Sequence, residues 1–186
     1  DWGLYAIGVK ALGDLAPGRA LLLANDSCSG SLTPLAPFVQ AAQQNRFDLY
    51  GATDSRELEP HLQSYFIWVG PRVTASTHWQ NFWRLYAPVA DKNYVIVAYE
   101  MGFTRFFRDA GFTIGAHWAY DDIVAQAKVD DSAPWRQQLI AHNREVNPTH
   151  ICWDLLIAQG YPFVKRQLVA SNPAGVPNLH LLLNLL

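Results

Sequence analysis

The feature that most constrains this fold is a run of three leucines, Leu21-Leu22-Leu23, closed by the polar triplet Asn25-Asp26-Ser27. A continuous apolar run ended by turn residues suits a strand covered on both faces. Such a strand needs layers on either side, which fits an α/β fold. The triplet falls just past the strand's carboxyl end, where open α/β sheets bind their ligands. Asn25, Asp26 and Ser27 can hold a hard divalent cation or a ribose hydroxyl there, as a phosphosugar-type ligand requires. They also have a plainer reading as a strand-ending turn, because all three residue types favour turns.

The remaining segments alternate in kind. Residues 3–13 carry apolar side chains at helical spacing and end near Gly13. Pro34 and Pro37 open a helix to about Gln44. Phe47 to Thr53 alternates like a strand, and Leu62 to Val69 is a second, aromatic-rich strand. Ser76 caps a helix to about Tyr86. A helix over 93–109 stops at Gly111, and 112–118 reads as a short strand. The polar stretch 121–146 reads as an insertion with helical patches. Asn147-Pro148-Thr149 starts a helix that stops at Gly160, Pro162 to Val169 is extended, and the Leu-rich tail 172–186 packs as a helix. Strands interleaved with helices give an α/β class with a mixed sheet flanked by helices, since 47–52 and 62–69 look like a hairpin pair.

A chain of 186 residues suits one domain with a sizeable core. Charged residues make up only 16%, below the usual quarter, so part of the surface is expected to meet a partner, a missing segment or a membrane. The net charge of −2 leaves no electrostatic footprint for nucleic acid. Cys28 and Cys152 lack metal-ligand spacing; they fit a reducing, cytoplasmic compartment, with a disulfide between them left open. The chain begins at Asp1 and enters a helical pattern at once, so the expectation is an N-terminal truncation that removes the first strand of a nucleotide-binding half.

Three further groups carry chemistry. Asp48, Asp54, His61, Gln63 and Ser64 gather at strand ends, where they can meet an acceptor hydroxyl or serve as ordinary turn and strand polars. Glu100 lies between Val95-Ile96-Val97-Ala98-Tyr99 and Met101-Gly102-Phe103. Apolar surroundings raise a carboxyl's pKa and prepare a general base, unless Arg105 or Lys92 pairs with it. His150 is a borderline metal ligand or phosphate contact. Lys165 and Arg166 can donate to a diphosphate, and Trp153 can stack on a sugar. The plain alternative is a helix-start histidine and a surface basic pair.

In order and spacing, Asn25-Asp26-Ser27, Asp48 to Ser55, His61 to Phe66, Phe82-Trp83, Tyr99 to Gly102, Asn147 to His150 with Trp153, and Pro162 to Arg166 through Asn172-Pro173 resemble the rhamnan-synthesis F family. The resemblance implies a GT-A-like, Rossmann-related glycosyltransferase, inverting in mechanism. It would move rhamnose or a similar sugar from a nucleoside-diphosphate donor to a polysaccharide or lipid-linked saccharide acceptor. It implies Asn25, Asp26, Ser27, Lys165 and Arg166 at the donor, with Mg or Mn held by Asp26 and His150. It puts Glu100, or failing that Asp54, as the base, and His61, Gln63, Ser64 and Trp153 at the substrate. Only Asp26 is acidic where such enzymes keep an Asp-any-Asp motif, which bears on metal dependence. The site of action would be the cytoplasm, at the inner face of the membrane. The rival expectation is a truncated, non-catalytic carbohydrate-binding or scaffold domain.

Overall fold

The computed structural model describes residues 2–13, 18–142 and 145–184. Helix α1 (Trp2–Ala11) leads to strand β1 (Leu21–Ala24), the two-residue strand β2 (Cys28–Ser29) and helix α2 (Ala36–Gln44). Strands β3 (Leu49–Ser55), β4 (His61–Leu62) and β5 (Phe66–Val69) precede helices α3 (Pro71–Thr74) and α4 (Thr77–Leu85). Next come α5 (Lys92–Val95), a π-helical segment (Ile96–Met101) and α6 (Gly102–Asp109), which run on as one rod. Strand β6 (Ile114–Trp118) is followed by α7 (Tyr120–Lys128), α8 (Pro134–His142), α9 (Pro148–Ile151) and α10 (Trp153–Ala158). Strand β7 (Val164–Lys165), α11 (Arg166–Ser171) and a 3-10 turn (Leu179–Asn184) come last.

The main sheet is mixed. Strand β1 pairs antiparallel with β5, β5 antiparallel with β3, and β3 parallel with β6. Strands β1, β3 and β6 therefore run the same way and share one carboxyl edge. Strand β4 pairs with the far end of β3, so β4 and β5 act as one strand interrupted at Gln63-Ser64-Tyr65. Strands β2 and β7 form a separate ribbon that sets Cys28 opposite Lys165.

Strand periodicity explains the two cores. Tyr50, Ala52 and Phe66 face one side, against α2, α7 and α10. Leu49, Ile67 and Val69 face the other, against α1, α4 and α6. Phe103 and Phe107 are fully buried in the second core, each contributing about 1.5–3 kcal/mol. Local signals set the ends of several elements. The Ser76 Oγ accepts the Trp79 N–H at 3.1 Å at the start of α4. Gly70 is required because a Cβ there would lie 2.9 Å from the Asp48 carbonyl oxygen.

Three expectations change. The extended segment from Pro162 ends at Lys165, and Arg166–Ser171 is helical. Strand β1 is an edge strand, and Leu22 is 40% exposed, so the leucine run is covered less than its composition suggests. The stretch 121–146 joins the core instead of standing out from it: Ile123, Val124 and Ala127 of α7 are buried. The polar look of this stretch comes partly from Arg136, whose side chain is fully buried between Asp130 and Asp154 and donates to the Ile151 carbonyl at 2.9 Å.

Candidate active site

The interruption between β4 and β5 frees backbone groups at the sheet's carboxyl edge, and two helical elements take them up. Tyr5 of α1 donates its hydroxyl to the Ser64 carbonyl at 2.8 Å. Glu100 accepts the Ser64 N–H at 2.9 Å through Oε1. Glu100 sits in the π-helical segment, a wider turn that recurs at functional sites. The turn closes with the Gly102 N–H bonded to the Val97 carbonyl. Oε2 of Glu100 has no partner among the described residues.

Asn25 docks on the same interruption by donating its N–H to the Tyr65 carbonyl at 3.1 Å. Its Oδ1 accepts the Ser27 N–H at 3.0 Å and the Ser27 hydroxyl at 2.7 Å, which fixes the turn after β1. The β2–β7 ribbon then carries Lys165 across from the C-terminal half. Its ammonium lies 3.5 Å from Ser27 Oγ and 4.1 Å from the Tyr65 ring centroid. Lys165 has no carboxylate partner among the described residues. Burial, and then the Lys165 charge, push the His150 imidazole down to about 4, so it is neutral near pH 7. Burial pushes the Cys28 thiol up, with Lys165 opposing it. Burial also raises the Tyr5 phenol, and Glu100 adds to this.

Beneath this edge runs a directed hydrogen-bond chain. Tyr161 donates to the Tyr65 hydroxyl at 2.7 Å, and that hydroxyl meets Thr53 Oγ1 at 2.6 Å. Thr53 donates to Gln63 Oε1 at 2.5 Å, and Gln63 donates to Asn147 Oδ1 at 3.3 Å. Asn147 then donates to Glu57 at 3.0 Å. Gln63 is thus occupied in positioning the edge.

Of the residues picked out in sequence, Asn25, Ser27, Ser64, Glu100, His150 and Lys165 belong to this cluster. Asp26 and Arg166 do share a face, but they pair with each other at 2.9 Å, and the Asp26 side chain is 82% exposed. Asp54 accepts the Tyr120 N–H at 2.6 Å, which holds the start of α7, and burial raises its pKa. His61 is buried, with Nδ1 2.8 Å from the Glu59 carbonyl. Asp48 stands at the opposite edge, bound to Arg72 and Thr113. Trp153 is 3% exposed and donates to Asn178 in the core, so it offers no face to a sugar.

Asp26 and His150 do not suit a divalent cation. The carboxylate is taken by Arg166, and the imidazole faces the Lys165 charge. Among the described residues no three His, Cys, Asp or Glu side chains gather as a ligand set.

The chain matches the Rhamnan synthesis protein F family over residues 3–185. It belongs to that family. Among curated relatives it is 28% identical over 196 residues to the virulence protein VirA of Vibrio anguillarum, covering 97% of this chain. It spans 62% of that relative's length. An uncharacterized protein, y4gN, of Sinorhizobium fredii is 28% identical over 134 residues, covering 69% of this chain and 35% of its own. No solved structure matches. No helix among the described residues is long and apolar enough to cross a membrane.

Sequence reasoning does not reach Tyr5, Thr53, Tyr65 and Tyr161 as parts of this cluster. Tyrosines carry no local signal of a shared edge, and the strand interruption at 63–65 reads as continuous strand.

Proposed function

We propose that the chain is the sugar-transferring domain of a glycosyltransferase that extends a rhamnose-containing cell-surface polysaccharide from a nucleoside-diphosphate sugar. One observation carries this reading. Two charges are anchored on adjoining residues of a single sheet edge: Glu100, bound to the Ser64 N–H with its second oxygen unpartnered among the described residues, and Lys165, an ammonium over the Tyr65 ring with no carboxylate partner among them. Transfer uses both charges. The acceptor hydroxyl oxygen attacks the anomeric carbon while its proton passes to Glu100 Oε2. The bond from that carbon to the diphosphate oxygen breaks, and Lys165, with the neutral His150 beside it, meets the departing charge. A single displacement of this kind inverts the anomeric centre.

The family's name supports a polysaccharide as product. The shared direction of β1, β3 and β6 supports a GT-A-like, Rossmann-related kinship. The acceptor is a polysaccharide or lipid-linked saccharide, and the reaction takes place in the cytoplasm at the inner membrane face.

A second reading, a carbohydrate-binding or scaffold domain without catalysis, draws on the Asp26–Arg166 pair, which occupies the one acidic residue of the donor turn. Incubating the chain with nucleoside-diphosphate-rhamnose and a rhamnose oligosaccharide separates the two. Release of nucleoside diphosphate with a longer oligosaccharide of inverted linkage supports transfer. Saccharide binding without release supports the scaffold, and a retained linkage removes Glu100 as base.

A further inference from the structure

We infer that Tyr65 is a positioning residue: the face of its ring is the seat that holds the Lys165 ammonium at the sheet edge with its charge uncompensated. What that charge meets, a diphosphate, rests on the transferase reading above; the seat itself does not.

The seat follows from how the interruption between β4 and β5 is used. Ser64 gives its N–H to Glu100. The next residue, Tyr65, takes Lys165, whose Nζ lies 4.1 Å from the ring centroid. The Tyr65 carbonyl also accepts the Asn25 N–H at 3.1 Å. Asn25 in turn fixes Ser27, whose Oγ lies 3.5 Å from the same ammonium. Both contacts of the ammonium are thereby referred to one residue.

Tyr65 is built as a fixed platform. It is buried, and the rings of Tyr161 and Phe163 stand across it at 88° and 82°. Its hydroxyl is held twice. It accepts from Tyr161 at 2.7 Å, and it donates to Thr53 at 2.6 Å because Thr53 gives its own proton to Gln63. Burial pushes the phenol well above its ordinary range, so the ring stays neutral. Phe163 and Lys165 stand two residues apart on extended chain, so they fall on one side and both reach Tyr65.

A ring face suits this cation better than a carboxylate would. The quadrupole attracts the ammonium and leaves its full charge in place, whereas a carboxylate would neutralise it. The neighbouring residue shows the contrast, since Arg166 is paired with Asp26 at 2.9 Å. A lysine is a flexible four-carbon stem that loses rotamer freedom when it binds an anion. A seated ammonium has already lost it.

The test reads the seat first without any donor. The chain has four lysines, Lys10, Lys92, Lys128 and Lys165, so their Cε proton signals can be assigned one by one in the isotope-labelled chain. The Lys165 signals should lie upfield of the other three, because protons above a ring face are shielded. They should stay upfield in Tyr65→Phe and join the others in Tyr65→Leu. Adenosine, guanosine, uridine and thymidine diphosphates are then titrated by calorimetry, and the tightest is taken to the variants. Tyr65→Phe keeps the ring and breaks the hydroxyl chain, so it should melt at lower temperature yet bind within about twofold of the unaltered chain. Tyr65→Leu should weaken binding about three- to thirtyfold. A purely structural core residue would lower affinity in both variants alike. Lys165 signals level with the other lysines in the unaltered chain, equal losses of affinity in the two variants, or full affinity in Tyr65→Leu would overturn the proposal. If Tyr65→Leu fails to fold, the Lys165 signals of the unaltered chain and the affinity of Tyr65→Phe decide. If no nucleoside diphosphate binds, upfield Lys165 signals keep the seat and only the transferase reading falls. Binding with unshifted Lys165 signals does the reverse.

Discussion

Glu100 and Ser64, 36 residues apart, meet through the backbone: Oε1 of Glu100 accepts the Ser64 N–H at 2.9 Å. The bond fastens the π-helical segment to the interruption between β4 and β5, where Asn25 also docks on the Tyr65 carbonyl. One carboxylate thereby closes a gap in the sheet, and in the proposed transfer it also takes the acceptor's proton.

In the proposed transfer, Lys165 is the cation that meets the donor diphosphate. Lys165→Met should weaken nucleoside-diphosphate affinity about ten- to a hundredfold, the worth of a charged hydrogen bond. Calorimetric titration with the free nucleoside diphosphate reads this. Unchanged affinity would remove Lys165 from the site.

His150 titrates at about 4 in the folded chain, against 6.5 in the unfolded chain. As pH falls through 6.5 the unfolded state takes up this proton and the native state does not. Stability is therefore lost progressively down to about pH 4, by up to ~3 kcal/mol from this residue. Lys165→Met removes a nearby positive charge, so the His150 resonance should titrate at higher pH by NMR. A resonance that titrates near 6.5 in the unaltered chain contradicts the buried placement.

Arg136 is fully buried between Asp130 and Asp154 and ties α8 to α9 and α10. Arg136→Ala leaves the half-buried Asp130 and Asp154 carboxylates and the Ile151 carbonyl without their partner and should cost about 3 kcal/mol in urea unfolding. A loss under ~1 kcal/mol would show that the stretch 121–146 is peripheral after all.

In the proposed transfer the exposed pair of Asp26 with Arg166 carries no catalytic step. Asp26→Asn should change kcat/KM less than about threefold, in keeping with the small worth of exposed ion pairs. A loss of a hundredfold would restore the donor-turn role that its place after β1 suggests.

Local chemistry made much of the fold readable. Ser76 and Asn147 announce helix starts because a cap bonds within three residues of itself, and Gly111 marks a stop in the same way. The antiparallel pairing of β3 with β5 shows in the alternation of Leu49, Tyr50, Ile67 and Trp68. Position within the sheet does not show: Leu21 to Leu23 reads as a strand covered on both faces, yet among the described residues β1 pairs only with β5 and of the three leucines only Leu23 is buried. Of the candidate cluster, Glu100 was legible as a carboxylate in apolar surroundings, Asn25 as the polar end of an apolar run and Lys165 as part of a basic pair. The cluster was illegible where residue type is ambiguous. An indole serves a core as well as a sugar, and Trp153 serves the core. A polar stretch can hide a buried guanidinium, as Arg136 does.

The most direct test of the central claim is the steady-state kinetics of Glu100→Gln with nucleoside-diphosphate-rhamnose and a rhamnose oligosaccharide. Glutamine keeps an oxygen for the Ser64 N–H but cannot take the acceptor's proton. If Glu100 takes the proton, kcat falls by about 10²–10⁴ with donor KM nearly unchanged. A kcat within threefold of the unaltered chain would contradict it.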